Sequence, residues 1–260
     1  MGSAERAFER PETIAEEAEK IEPKYHFEAI KQLEWPATSL VDQLKDKIDN
    51  DEYDILIGDD ASGRVPTLIL RSVINERKHQ SHADKPPKEN EISTKFIAGG
   101  RIFTVENDAA VSDFFKQIRP QTKKKALLVT EYMAAGKGVD RLARILNEVG
   151  MDFDVAAFSS TSSFEYYKLH RANLKDHELF IGVDSVDPPL IYAQSSLSGV
   201  TKKTKLTGYD PVMYMSAHAK PEKKSKDRSR IDRLRQQKFI NQVREDIKIL
   251  ADEVVKKVWG

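Results

Sequence analysis

Residues 126–149 read ALLVTEYMAAGKGVDRLARILNEV. The apolar run Ala126–Val129 gives way to a stretch of small and polar residues, Thr130–Gly138. Val139, Leu142, Ala143, Leu146 and Val149 then recur at steps of three and four. The run has the length and character of a buried strand, and the recurring positions form the apolar stripe of a helix that Gly150 would stop. A strand leading through a short turn into a helix is the first half of a βαβ unit, so this stretch predicts a parallel sheet.

The same pattern lies on both sides of it. Upstream, Tyr53–Gly58 is a short apolar run, Asp59–Arg64 reads as a loop, and Pro66 suits the first turn of a helix reaching about Ile74. Further upstream, Ser39 with Asp42 reads as a helix N-cap ahead of Leu44 and Ile48. Residues 77–93, with Pro86-Pro87, read as a loop. Lys95–Ala98 is a candidate strand, Asp108–Ile118 a candidate helix ended by Pro120, and Lys123–Lys125 leads into the quoted stretch. Downstream, Phe153–Phe158 and Glu178–Val183 read as strands with a helix near 162–172 between them. Alternating elements of this kind predict an α/β fold, a mainly parallel sheet with flanking helices. Ligands of such sheets bind beyond the carboxyl ends of the strands, near the point where strand order reverses. Both unusual loops, 59–64 and 130–138, directly follow strands.

A helix start offers unpaired N–H groups and the positive end of its dipole, and glycines let the backbone come close to a ligand. Ala134, Ala135, Gly136, Lys137 and Gly138 would therefore cradle a phosphate through main-chain amides, with Lys137 adding charge. The competing reading is an ordinary tight turn between strand and helix.

The run LLVTEYMAAGKGV resembles the phosphoribosyl diphosphate motif of the type I phosphoribosyltransferases: an apolar strand, two acidic residues, a spacer and a phosphate loop. The resemblance implies that Glu131, at the second acidic position, holds ribose hydroxyls. It implies that the amides of Ala135, Gly136, Lys137 and Gly138 hold the 5′-phosphate. The first strand and loop, YDILIGDDASGRVPTLIL, are similar to the family's first strand, diphosphate loop and following helix. On that basis Ser62, Gly63 and Arg64 would hold diphosphate, with Asp59 and Asp60 reaching it through Mg²⁺, the cofactor implied. This sequence departs from the motif at four positions. Thr130 stands where the first acid belongs, Ala134 where many members carry an aspartate, and Ala135 and Gly138 replace hydroxyl residues. Each exchange forgoes a hydrogen bond worth roughly 1.5–3 kcal/mol where charge assists it. The family's mobile catalytic loop has no recognisable counterpart in 99–125. Asp184–Tyr192 stands where part of the base-recognising hood would lie, with Tyr192 as a stacking candidate or a plain packing tyrosine. Two expectations follow: a phosphoribosyltransferase-like protein binding phosphoribosyl diphosphate or a nucleotide and transferring ribosyl phosphate to a nitrogenous base, or a non-catalytic binding, regulatory or assembly protein of the same fold.

The remaining features point to less specific roles. His79 and His82 have metal-like spacing but read as loop residues without further ligands. His26, His170, His177 and His218 form no hydrolytic triad. Ser159–Ser163 reads as a cap for the next helix, or as a phosphate contact. Lys220–Lys238 is basic but interrupted by acids and lacks aromatic residues, so it reads as a linker entering a helix rather than a nucleic-acid site. Ile231, Leu234, Ile240, Val243, Ile247, Leu250, Val254 and Val258 mark an amphipathic helix that packs on its own domain or, through its partial coiled-coil spacing, in a homodimer.

The chain has 260 residues with no net charge, so no global field steers it to nucleic acid or an anionic membrane. It is 39% hydrophobic and 32% charged, enough for a core with strongly solvated faces. The lack of cysteine excludes disulfides, thiolate nucleophiles and Cys-ligated zinc. No run approaches the about 20 apolar residues of a membrane span, and residues 1–20 lack an apolar signal core, so a cytoplasmic protein is expected. The expected organisation is a polar extension over 1–38, the α/β domain over 39–217, and a basic linker with a terminal helix over 218–260.

Overall fold

The structure is a computed structural model that describes residues 24–59, 63–81, 91–97, 105–184 and 226–260, with side chains from Asp108 in the fourth helix and from Lys238 in the last. Residues 1–23 of the expected polar extension, Asp60, Ser62, His82, the Pro86-Pro87 loop, Tyr192 with nearly all of the proposed hood, and the linker at 218–225 lie outside the described residues.

Among the described residues, five strands form one parallel sheet in the order β2-β1-β3-β4-β5. They are β1 (Tyr53–Asp59), β2 (Ser93–Ile97), β3 (Lys125–Met133), β4 (Phe153–Ser160) and β5 (Leu179–Asp184). Among the described residues, seven α-helices accompany them: α1 (Glu28–Lys31), α2 (Glu34–Asp49), α3 (Arg64–Ser81), α4 (Val105–Ile118), α5 (Lys137–Glu148), α6 (Phe164–His170) and α7 (Lys226–Trp259). Strand residues divide by parity between two cores. Leu56, Leu127, Val129, Ala156 and Phe158 pack with α2, α3 and α7. Ile55, Ile57, Ala126, Leu128, Val155 and Ala157 pack with α4 and α5. Both faces of the central strands are thus covered, which is why they read as continuous apolar runs.

Three element boundaries differ from the sequence reading. Helix α2 begins at Glu34 after Leu33, not at a Ser39 cap. Pro36 lies in its first turn, where no N–H is required of it, and Ser39 sits inside the helix. Helix α3 continues past Ile74 to Ser81, because the polar residues Glu76, Arg77 and Lys78 suit an exposed helix face. His79 is therefore helical rather than in a loop. Strand β3 runs on through Met133, since β4 extends beside it and pairs Thr130 with Ala157, Tyr132 with Ser159 and Met133 with Ser160. Thr130 and Glu131 are strand residues, not loop residues.

Helix α7 lies across α2 and α3, burying Val243, Ile247, Leu250, Ala251, Val254 and Val255 against them. None of the helices among the described residues is long and apolar enough to cross a membrane. At the amino end of the sheet, the buried Asp154 accepts from the Tyr53 hydroxyl at 2.8 Å and from Lys125 Nζ at 3.3 Å. Burial, and then the Asp154 charge, push the Tyr53 phenol well above its ordinary range.

Candidate functional site

Strand order reverses between β1 and β3. The chain leaves β1 for β2 on one side and leaves β3 for β4 on the other, and sheets of this kind take ligands above the carboxyl ends of such a central pair. The two loops singled out in the sequence follow these two strands, and the first of them turns against the backbone of β3. A Cβ on Gly63 would press into the Val129 carbonyl and come within 2.6 Å of Asp59 N and 2.8 Å of Asp59 O. Only glycine fits there. The Gly63 N–H donates to the Asp59 carbonyl, and its own carbonyl accepts from Thr67 N at 2.8 Å and from the Thr67 hydroxyl at 2.5 Å, which closes the turn into α3.

Asp59 and Arg64 are both buried at the ends of this turn. The Arg64 guanidinium stacks over Phe96 of β2, 4.0 Å from the ring centroid. A cavity of about 480 Å³ between α3, α7 and β2 is lined by Arg64, Phe96, Arg71, Asn75 and Arg244 among others, so Arg64 joins the turn to open space.

Glu131 is 1% exposed. By strand alternation it shares the α3 face with Leu127 and Val129, while Thr130 shares the α5 face with Leu128. Asp59, Arg64, Thr130 and Glu131 all have partners. The residue expected to hold ribose hydroxyls is therefore a buried strand residue with a partner of its own.

The β3–α5 turn follows. Ala134 and Ala135 are exposed, and Gly136, at φ 68°, is the N-cap of α5. That left-handed conformation favours glycine. No side chain caps the helix, and no described residue accepts from the N–H groups of Lys137, Gly138 or Val139. Lys137 is exposed and Gly138 half-buried. The turn's carbonyls are instead held from α6. The Tyr167 hydroxyl lies 2.5 Å from the Met133 carbonyl and 2.7 Å from that of Ala134, and Arg171 Nε donates to Ala135 O at 2.6 Å. Asp108 of α4 accepts from Arg141 and, at 2.6 Å, from Arg144, tying α4 to α5.

The structure thus brings Asp59, Gly63, Arg64, Glu131 and Ala135–Gly138 to one end of one strand pair. Asp60 and Ser62 are not among the described residues. Sequence reasoning missed Tyr167, Arg171 and Phe96, whose roles depend on contacts across elements that no local spacing signals. Ser163 caps α6, accepting from Tyr166 N at 3.4 Å, as the capping reading of Ser159–Ser163 expected. His177 meets the Phe153 carbonyl and Asn147 Oδ1, each at 2.8 Å, and stacks on Phe153, a packing role. Among the described residues, no group of three or more His, Cys, Asp or Glu side chains is arranged to hold a metal ion. In comparisons with family models, curated proteins and solved structures, nothing matches this chain.

Proposed function

We propose that this chain is a phosphoribosyltransferase-like protein that binds phosphoribosyl diphosphate or a nucleotide in the crevice above β1 and β3. The observation that carries the reading is the start of α5. It is uncapped, turns on Gly136 at φ 68°, and stands one strand away from the glycine turn that opens α3. Two turns with close-approach backbone at a switch point suit a ligand with two anionic groups. The α5 start takes the 5′-phosphate, and the Gly63–Arg64 turn faces the diphosphate. Asp59, at the carboxyl end of β1, would help hold Mg²⁺ beside the diphosphate, and the cation would supply neutralisation of the leaving group's charge. In transfer, a base nitrogen bonds to C1 of the ribose as the C1–O bond to diphosphate breaks, and the nitrogen's proton passes to solvent. The protein's share is positioning and neutralisation of the leaving group.

A second reading, binding without turnover, draws on the burial of Glu131 and on Ala135 and Gly138 standing in place of hydroxyl residues. Calorimetry with phosphoribosyl diphosphate and Mg²⁺, followed by assay against a panel of nitrogenous bases, separates the two. Binding with diphosphate release supports transfer, and binding alone supports the regulatory form. The variant Gly138→Asp places a negative charge in the first turn of α5. It should raise helix stability slightly, through propensity and the helix dipole, yet weaken ligand binding at least about tenfold by like-charge contact. Wild-type affinity in this variant would rule out the α5 start as the phosphate site.

A further inference from the structure

Helix α7 lies beside α3 and runs in the same direction. At one end, the guanidinium of Arg77 in α3 sits over the Trp259 ring that closes α7, 5.3 Å from its centroid. Farther back, the cavity of about 480 Å³ is lined by Arg64 from one helix and Arg244 from the other. Both stand roughly 20 Å before the Arg77–Trp259 joint, at about 1.5 Å per helical residue. They belong to the end of the cavity nearest the carboxyl edge of the sheet, as does Phe96, which pairs with Gly58 late in β1. Lys248 follows Arg244 by one turn and lines the same cavity.

Three cations thus share one end. Arg64 is buried, stacked on Phe96 and engaged by the protein, so it is fixed in place. Arg244 and Lys248 are exposed, and no described residue pairs with either. The rest of the wall is different in character. Asp252, one turn beyond Lys248, is half-buried and pairs with no described residue. The buried His79 Nε2 has no hydrogen-bond partner in the protein, a costly state that a ligand group relieves. Arg71 and Glu91, also in the wall, satisfy each other at 2.6 Å.

We propose that this cavity is a second ligand site, for a small organic phosphate bearing an amino or hydroxyl group at its far end. The phosphate lies among Arg64, Arg244 and Lys248. Two planar guanidinium groups and an ammonium match the three oxygens of a monoester dianion. Asp252 accepts from the amino or hydroxyl group, and His79 stands deeper along the same wall. The volume falls within the range of small-molecule sites, about 300–1,000 Å³. Helix α7 lies outside both stretches that resemble the phosphoribosyltransferases, so the site is separate from the one above β1 and β3.

The test titrates the full-length, ¹⁵N-labelled chain with phosphoethanolamine and with ethyl phosphate, which lacks the ammonium group. Salt at about 0.15 M screens scattered surface charge. The largest amide shifts are expected at Phe96, Arg244, Ile247 and Lys248, with phosphoethanolamine binding about threefold more tightly. The double variant Arg244→Gln, Lys248→Gln changes only exposed side chains, and circular dichroism checks its fold. It should weaken both probes at least about tenfold. Asp252→Asn should abolish the preference for phosphoethanolamine while leaving ethyl phosphate bound. Wild-type affinity in the folded double variant overturns the proposal, and so does a preference that survives Asp252→Asn. Shifts confined to Ala135–Lys137 would overturn this site while supporting the phosphate at the start of α5. No shift with either probe overturns this site too.

Discussion

Asp246 is a carboxylate with no exposed surface, set in the middle of α7. It accepts from His26 N at 2.9 Å and from Phe27 N at 2.7 Å, 220 and 219 residues away. Phe27 is the N-cap of α1 and has no side-chain acceptor of its own, so Asp246 performs the capping from another helix. Replacing it with alanine would leave two amides without their acceptor in a dry interface. Asp246→Ala is expected to lower unfolding free energy by about 2–4 kcal/mol, and Asp246→Asn, which keeps an uncharged acceptor, by about half as much. Urea denaturation followed by circular dichroism measures both, and equal losses would show that packing rather than hydrogen bonding matters there. Residues of this kind explain what could not be read from the chain. Gly136 announced itself, because a glycine between a strand pattern and a helix pattern has a local meaning. Asp246 in a polar helix face, or Tyr167 in a short aromatic run, has meaning only through a partner brought near by the fold.

Elements were legible where apolar side chains face both sides of a sheet. Ala126–Val129 and Tyr53–Gly58 are such runs, and their strand character follows from burial alone. The polar end of β3 was not legible. Thr130 and Glu131 look like loop residues, and they become strand only because β4 extends beside them to Ser160. The start of α2 was obscured in the same way, since Ser39 offers a stronger local cap signal than Glu34 and Pro36. Helix α7 shows the opposite case, in which a three-four pattern identified the element and the structure supplied its partner. Its stripe packs on α2 and α3 within this chain, with Leu250 and Val254 fully buried. Leu250→Ala should therefore cost about 2–5 kcal/mol through lost transfer energy and a residual cavity, whereas Lys238→Ala, at an exposed site, should stay within about 0.5 kcal/mol. Thermal or urea unfolding at two protein concentrations provides the check. A small Leu250 effect that grows with dilution would mean that this stripe is completed by a second copy instead.

Across the whole molecule, equal numbers of acidic and basic residues hide a directional arrangement. The helix ends at the amino edge of the sheet are joined by carboxylates. Asp49 accepts from Arg77 Nε at 2.7 Å and from Trp259 Nε1 at 3.1 Å, linking the ends of α2, α3 and α7. Asp51 pairs with Lys78 at 2.6 Å and with Lys124, linking α3 to the approach to β3. Burial raises the pKa of both carboxyls, but these hydrogen bonds and charges outweigh it and hold both below the usual carboxylate range. A depressed carboxyl contributes stability above its unfolded pKa of about 3.9 and loses it as pH falls through the lower folded value. The alkaline side works in the opposite sense. Burial lowers the Lys47 pKa, yet the hydrogen bonds it donates to Glu178 and Glu52 and the charge of Asp154 raise it overall. Tyr25 is pushed up to about 12 by burial and by Glu34, Glu253 and Asp246. Groups raised in this way stabilise the fold below their unfolded pKa values, about 10.4 for lysine and 10 for tyrosine, and that contribution disappears as pH rises through the folded values. Melting temperature should therefore be level from about pH 5 to 9, then fall on each side. Asp49→Asn should lower the neutral plateau and flatten the acid limb, because the depressed group no longer titrates, while leaving the alkaline limb unchanged. An acid limb as steep in Asp49→Asn as in the wild type would assign acid unfolding to carboxylates away from this edge.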